Sequence, residues 1–375
     1  MKLGIFLMPL TPPGRTLGAV MEEVTQKALL LDAIGFDEFW LGEHFSATSE
    51  PIPSPLMFMA SLLNQTKHLT FGTGVISLPN RHPAVIAAEV AQFDHMSKGR
   101  FRFGIGTGSL PPDWELFQLE DEAVRKRMLL ESIDMIQAIW RHGPPYRFDG
   151  EFWKFGISKT VDHALQMGIM PQTRHPEGPP VHISIATPNS SSAVLAGERG
   201  WGPLSSSLLQ AQGVATHWAG FSRGLANAGR PVTSENWRVV RVVLVAPTDA
   251  EAERRLRHAQ SSVRFYFDYL RQVLARAGKL VALKSRPDMA DSEVDTDSAM
   301  MSRVIYGSPA TVRDKLIAFR DQAGPFENLL VSGMDWSGSN EAWERESLTL
   351  LGKEVWPAVR RHYEQPKRAA AVAAQ

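Results

Sequence analysis

Glu43-His44 follows directly on a short apolar segment that reads as the second strand, and it is the first place where the sequence offers acid–base chemistry. An imidazole beside a carboxylate takes or holds a proton near neutral pH, with Glu43 either orienting the ring or pairing with a neighbouring cation. The competing reading is that His44 only satisfies a backbone group. Two glycine- and threonine-rich runs, Thr73-Gly74-Val75-Ile76-Ser77 and Gly104-Ile105-Gly106-Thr107-Gly108, end the third and fourth expected strands. Backbone so poor in side chains lets a flat ring system lie against it. The second run invites a dinucleotide fingerprint, but Pro111-Pro112 arrive too soon and the glycine spacing is wrong for a helix opening over pyrophosphate. Ala186-Thr187-Pro188-Asn189-Ser190-Ser191-Ser192 joins the fifth strand to its helix, where hydroxyls and free amides suit a phosphate. Capping by Asn189 or Ser190 accounts for the same residues, and both readings hold together. Arg125, on the helix after the fourth strand, offers the countercharge.

Other chemistries find no residues. Histidines 82, 95, 142, 163, 175, 182 and 217 show no metal-ligand spacing, so no metal site is expected and they read as surface or core groups. No G-x-S-x-G elbow occurs, and the absence of cysteine removes disulfides, thiolate nucleophiles and iron–sulfur clusters together. Lys plus Arg and Asp plus Glu balance at 40 each, which predicts no broad attraction to nucleic acid or to an anionic membrane. The opening run is cut by Pro9, Pro12 and Pro13 and reads as a first strand rather than a secretion signal. With no membrane-length apolar stretch, a cytoplasmic protein is expected.

The elements that must position these residues alternate between strand and helix, which favours a parallel α/β sheet. Strands are expected at 3–8, 36–41, 69–75, 101–105, 181–186, 201–206, 237–245 and 327–332. Helices are expected at 17–34, 55–65, 83–96, 121–141, 190–199, 211–228, 250–277, 309–322 and 340–362. Ser97-Lys98-Gly99-Arg100 closes one helix with a left-handed glycine, and Asp94 is expected to pair with Arg100 across that turn. Two stretches break the rhythm: about 145–180, with a hairpin turn at 148–153, and about 279–303, rich in Asp, Ser and Met. Long loops of this kind are lids or disorder. The fold expected is an α/β (βα)8 TIM barrel over 1–363, with insertions after strand four and before the last strand and a flexible tail at 364–375.

The segments GEHF at 42–45, GTGVISLPNRHP at 72–83, FDHMSKGRFRFGIGTG at 93–108 and GSPATV at 307–312 resemble the bacterial luciferase-like flavin-dependent monooxygenases. The DxxSxGR signature at 94–100 is specific in that context, and several further segments are most similar to the limonene monooxygenase-like branch. The resemblance implies a barrel that binds FMN at the strand C-termini beneath an insertion. It implies a catalytic role for His44 with Glu43, and a non-proline cis peptide at Gly74-Val75 behind the flavin ring, with Ile76 following. Thr107, Arg125, Ala186, Thr187, Ser190 and Ser191 match cofactor-binding positions. Many relatives carry Arg where Thr107 stands, and Thr187-Pro188 after Ala186 replaces a Ser-Ser-Pro. Both departures fit a flavin that is borrowed rather than held tightly. The implied reaction is that of a two-component system, in which an NAD(P)H-dependent reductase supplies reduced FMN as cosubstrate. Dioxygen then reacts through a flavin C(4a)-peroxide to oxygenate a small apolar, terpene-like substrate. Met8, Phe45, Met57, Phe58 and Trp336 are the expected substrate-facing residues, the 279–303 insertion the expected lid, and a homodimer the expected assembly. The alternatives are FAD or a deazaflavin coenzyme in the same fold, the latter for hydride transfer, and a non-catalytic barrel subunit.

Overall fold

The computed structural model describes residues 1–373 apart from 285 and 287, with side chains placed as far as residue 364. Eight parallel strands form its centre: β1 (Lys2–Leu7), β2 (Glu38–Leu41), β3 (Thr70–Thr73), β4 (Phe101–Gly106), β5 (Val181–Ile185), β6 (Gly202–Ser205), β7 (Arg238–Arg241) and β8 (Asn328–Ser332). Their order is 3-2-1-8-7-6-5-4, and pairing of Phe71 with Phe101 brings β3 back to β4, so the sheet closes into a barrel. Closure leaves both faces of each strand buried, which is why the strands read as short apolar runs. Helices cover the outside and bury the main apolar cluster against the sheet. Among the described residues no helix is long and apolar enough to cross a membrane, and no group of three or more His, Cys, Asp or Glu is placed to hold a metal ion.

Local chemistry explains most boundaries. Thr16 accepts a hydrogen bond from the Ala19 N–H to start the helix Leu17–Ile34, and Gly35 ends it in the left-handed region at φ 87°. The expected Asp94–Arg100 pair does not form. Asp94 instead accepts the Arg174 N–H at 2.9 Å, and the Arg100 guanidinium donates to the Leu63 and Leu69 carbonyls, both at 3.0 Å. Arg100 thus satisfies carbonyls at the end of the helix Pro55–Leu62 and in the loop after it, to which a flat five-donor group is suited.

Three expected elements are divided. The seventh strand leaves the barrel after Arg241, because Val243–Val245 pairs in parallel with Ile305–Gly307 instead. The expected helix 250–277 is two, Asp249–Arg257 and Ser262–Arg276; the second is capped by Ser261, and Asn340 accepts the Ser262 N–H at 2.9 Å. The closing helix widens into a π stretch at Leu351–Val355 just before Pro357, which has no N–H to continue the ladder. The backbone helix Trp356–Ala373 runs through most of the expected tail, and residues 374 and 375 lie outside the described residues.

The first insertion carries the hairpin Tyr146–Asp149 and Lys154–Ile157 and lies along the flank of the barrel. Glu131, on the helix Glu122–Arg141, accepts the N–H groups of Glu151, Phe152 and Trp153 at 2.7, 3.0 and 2.8 Å and pins the turn there. The second insertion is not structureless. Its turns Leu280–Leu283 and Asp291–Glu293 and its helix Thr296–Met301 bury Leu283, Met289, Val294 and Met300 with Phe267 in an apolar cluster of their own.

Candidate active site

The barrel interior is a plug at its N-terminal end. Glu38 of β2 accepts from Arg238 Nε and Nη2 at 2.8 and 2.7 Å and from Trp40 Nε1 at 2.8 Å, so strands that are not neighbours meet through the middle. Burial opposes the charge on Glu38, yet the Arg238 guanidinium and these hydrogen bonds hold its carboxyl below the ordinary value. Above this layer Trp40, Leu204, Val240 and Leu330 pack under Phe6 and Val75. Chemistry is therefore confined to the C-terminal mouth.

Glu43 and His44 stand at that mouth, on the loop after β2. Glu43 is buried; it accepts the Ser77 N–H at 2.8 Å and pairs with Arg81 at 3.0 Å, so it faces the cation rather than orienting His44. Burial pushes the Glu43 carboxyl up to about 7 despite Arg81 and Ser77. The carboxylate against His44 is Glu50, whose Oε2 lies 2.6 Å from His44 Nδ1. Burial disfavours the His44 imidazolium, but Glu50, then Asp113 and Glu43, outweigh it and raise His44 above its ordinary value. Asp113, buried on the helix Pro111–Phe117, accepts the Phe45 and Ser46 N–H groups and the Ser46 hydroxyl, and so fixes the loop from the far side. Sequence reasoning missed Glu50 and Asp113. The pair Pro111-Pro112 followed by an acid in the first turn was a legible helix start, but nothing local marks Glu50.

The Gly74–Val75 peptide is cis, and the two-residue strand Ile76–Ser77 beyond it pairs with β4. The glycines here serve the protein's own packing first. A Cβ on Gly104 would land 1.8 Å from the Thr73 carbonyl oxygen, on Gly106 2.6 Å from Val75 Cγ2, and on Gly74 2.6 Å from Phe6. Thr73 Oγ1 bridges to the Gly104 N–H and carbonyl at 2.8 and 2.7 Å. The result is a shelf of backbone ending at Val75.

Arg125 is buried and donates to the Leu119 and Glu120 carbonyls, while its guanidinium stacks on Trp114 at 4.0 Å. Arg125 Nε and Trp114 Nε1 are buried without a hydrogen-bond partner. Two orphaned donors, one of them on the guanidinium itself, fit an anionic group of the size of a phosphate. The loop after β5 is held from behind by His217, whose Nε2 meets the Thr187 carbonyl at 2.9 Å and whose Nδ1 meets Ser205 Oγ at 2.8 Å. Ser190 caps the helix Ser191–Arg199 through the Ser192 N–H at 3.3 Å; Ala186, Thr187 and Ser191 are exposed, and Thr107 is half-buried.

Of the expected substrate-facing residues, Met8 lies against Gly42, and Phe45 packs on Phe117 at 5.2 Å with Arg81 over its ring. The others sit elsewhere: Met57 is 77% exposed, Phe58 is buried in the main core, and Trp336 is buried under Lys27 and Arg345 with its Nε1 donating to Glu344. A cavity of about 330 Å³ lies between residues 258–262, Pro12 and the loop after β8, and neither His44 nor Glu50 lines it.

One further element reaches this mouth. The helix Ser262–Arg276 and the insertion after it touch the loops after three strands: Tyr266 and Arg303 meet Ser207 and the Leu208 carbonyl after β6, Tyr269 lies against Ser49 and Glu50 after β2, and Lys279 stands over Trp114 after β4. Only a segment crossing the mouth can reach all three, so it forms a roof.

The family model described as luciferase-like monooxygenase matches residues 1–325. The chain is 29% identical to 4-hydroxyprotoasukamycin monooxygenase of Streptomyces nodosus subsp. asukaensis over 95% of its own length and 91% of that protein. It is 28% identical to limonene 1,2-monooxygenase of Rhodococcus erythropolis over 87% of its length and 78% of that protein. Among solved structures it is similar to the oxygenating constituent of 3,6-diketocamphane monooxygenase from Pseudomonas putida, a type II Baeyer–Villiger monooxygenase in complex with FMN. That likeness has a TM-score of 0.85 and 26% identity, and covers 95% of this chain and 98% of the other. With the barrel, its mouth and these likenesses in agreement, the chain belongs to the luciferase-like monooxygenase family and is an oxidoreductase.

Proposed function

We propose that this chain is the oxygenase of a two-component system, taking reduced FMN from a separate NAD(P)H-dependent reductase and using dioxygen to oxygenate a small apolar substrate. The observation that carries the reading is His44, held through Nδ1 at the barrel mouth by the buried Glu50 and covered by the roof. Reduced flavin, when bound, supplies two electrons and the ring at which dioxygen is activated. The rest falls to this chain's residues. Gly74, Val75 and Ile76 would back the ring, while Arg125, Thr107 and the Ala186, Thr187, Ser190 and Ser191 loop would hold the phosphate. With Nδ1 facing the Glu50 carboxylate at 2.6 Å, the atom left to hold or deliver a proton over the site is His44 Nε2. Met8 and Phe45 give the mouth apolar walls, and the roof keeps water from it.

The oxygenating constituent and the limonene enzyme, by their names, support an oxygenase component and a terpene-like substrate. The proposal takes the enzyme as a cytoplasmic homodimer, which sedimentation and cell fractionation address. Its central test is equilibrium binding of reduced FMN, reduced FAD and a reduced deazaflavin coenzyme, followed by incorporation of labelled oxygen from dioxygen into a panel of small cyclic ketones and alkenes. Preference for reduced FMN with label in the product supports the reading. Preference for the deazaflavin, or product without label, would replace it with hydride transfer.

A further inference from the structure

The loop that carries His44 is fixed at both ends, and the fixing has a direction. Asp113 holds residues 45 and 46, the Glu50 N–H donates to the Ala47 carbonyl at 3.0 Å, and the Ser49 carbonyl accepts the Thr11 N–H at 2.8 Å. Glu50, only 5% exposed, is thereby placed between two partners that belong to different parts of the fold. On one side is His44 Nδ1 at 2.6 Å; on the other is the Tyr269 hydroxyl, which comes down from the roof helix Ser262–Arg276. A carboxylate lying between an imidazole and a phenol draws the ring proton toward Nδ1 by its charge, and the phenol O–H competes with the imidazole for that charge.

We propose that Glu50 and Tyr269 act as positioning residues for His44: Glu50 fixes the ring and its proton through Nδ1, and Tyr269 tempers Glu50 as long as the roof helix is seated. The inference rests on His44 being the acid–base group of the proposed reaction. It makes the state of His44 a report on the roof, because a raised helix takes Tyr269 with it. Other charged groups face His44 as well: Asp113 from the helix Pro111–Phe117 and Glu43 from its own loop, the latter paired with Arg81. Neither belongs to the roof helix, so Tyr269 is the part of the constellation that the roof helix itself carries. Tyr269 is itself pushed up to about 12, by burial and then by Glu50, and therefore stays a neutral donor.

The test is a proton titration of His44 by NMR in the full chain carrying labelled histidine, with no flavin present. Glu50→Gln should lower the proton affinity of His44 by ~10-fold or more, and Glu50→Asp should recover part of it. Tyr269→Phe should raise it by ~2-fold, since the carboxylate loses a competing donor. In the Glu50→Gln background Tyr269→Phe should change nothing, because Tyr269 acts only through Glu50. If Glu50→Gln fails to fold, Glu50→Asp with and without Tyr269→Phe gives the same comparison. An unchanged His44 midpoint in the Glu50 variants, or an equal Tyr269→Phe effect in both backgrounds, overturns the inference. Because the measurement uses neither cofactor nor oxygen, its failure is distinct from failure of the proposed reaction.

Discussion

Replacing Arg303 with Leu should open the roof while leaving the barrel folded. The guanidinium ties three stretches together: Nε donates to the Leu208 carbonyl at 3.0 Å, and Nη2 donates to the Ala282 and Lys284 carbonyls at 2.9 and 3.0 Å. Its own carbonyl accepts from Arg241 Nη2 at 2.9 Å, and Arg241 in turn holds the Ser207 and Leu209 carbonyls. Hydrogen bonds from a charged donor contribute about 1.5–3 kcal/mol each. Losing these three, which alone reach other segments since Nη1 donates only to Ser302 and Ala299 nearby, therefore costs roughly 4.5–9 kcal/mol before offsets. Much of this is returned, because burial pushes Arg303 down to about 10, and Leu removes a charge that the interior disfavours. Water also reaches the freed carbonyls once the segment lifts. A net cost of about 2–4 kcal/mol to the seated roof remains, which is roughly a 30- to 1000-fold rise in its open population. Hydrogen exchange read by mass spectrometry should show faster exchange across 262–304, with the strands of the barrel unchanged. In turnover the variant should release more hydrogen peroxide per reduced FMN consumed, since water now reaches the site. Unaltered exchange in the roof together with unaltered peroxide release would refute the reasoning, and would mean that the apolar cluster around Phe267 alone holds the segment down.

Three further outcomes follow from the site. His44→Ala should keep the fold and reduced-flavin affinity while lowering product per reduced FMN by ~100-fold or more, as loss of a positioned acid–base group does; product and peroxide yields in single turnovers check this, and unchanged coupling removes His44 from the chemistry. Changing Ser190 and Ser191 together to Ala should weaken reduced FMN by ~10-fold and reduced riboflavin hardly at all, read by equilibrium binding, because only FMN carries the phosphate; equal losses would leave the serines as helix caps. Glu43, held near 7 when folded against 4.5 when unfolded, binds more protons in the folded state between those values, so its contribution to stability should fall as pH rises through that window. Denaturant titrations of wild type and Glu43→Gln at pH 5 and 7.5 should differ in that sense, and a gap that does not change with pH contradicts the assignment.

How much of this was legible in the chain follows the range of the forces involved. The period and punctuation of the apolar runs were enough to mark the eight strands, because a strand buried on both faces must be short, apolar and bounded by turns. The same local signals placed the end of the helix 17–34 and the hairpin turn at 148–153. The position of Glu43-His44 at a strand exit was readable too, since a parallel barrel puts all such exits on one side. What the sequence did not carry was which partner each group would take. Asp94 and Arg100 lie close in the chain, yet each bonds to a segment brought in from elsewhere, and Glu43 faces Arg81 while the more distant Glu50 meets His44. The insertion at 279–303 read as loop because its apolar residues have no regular period; they are buried against Phe267 and Val242 only once the chain has crossed the mouth. Strand and helix are set by neighbours a few residues apart, whereas ion-pair choice and roof closure depend on distances through space that close only when the barrel does.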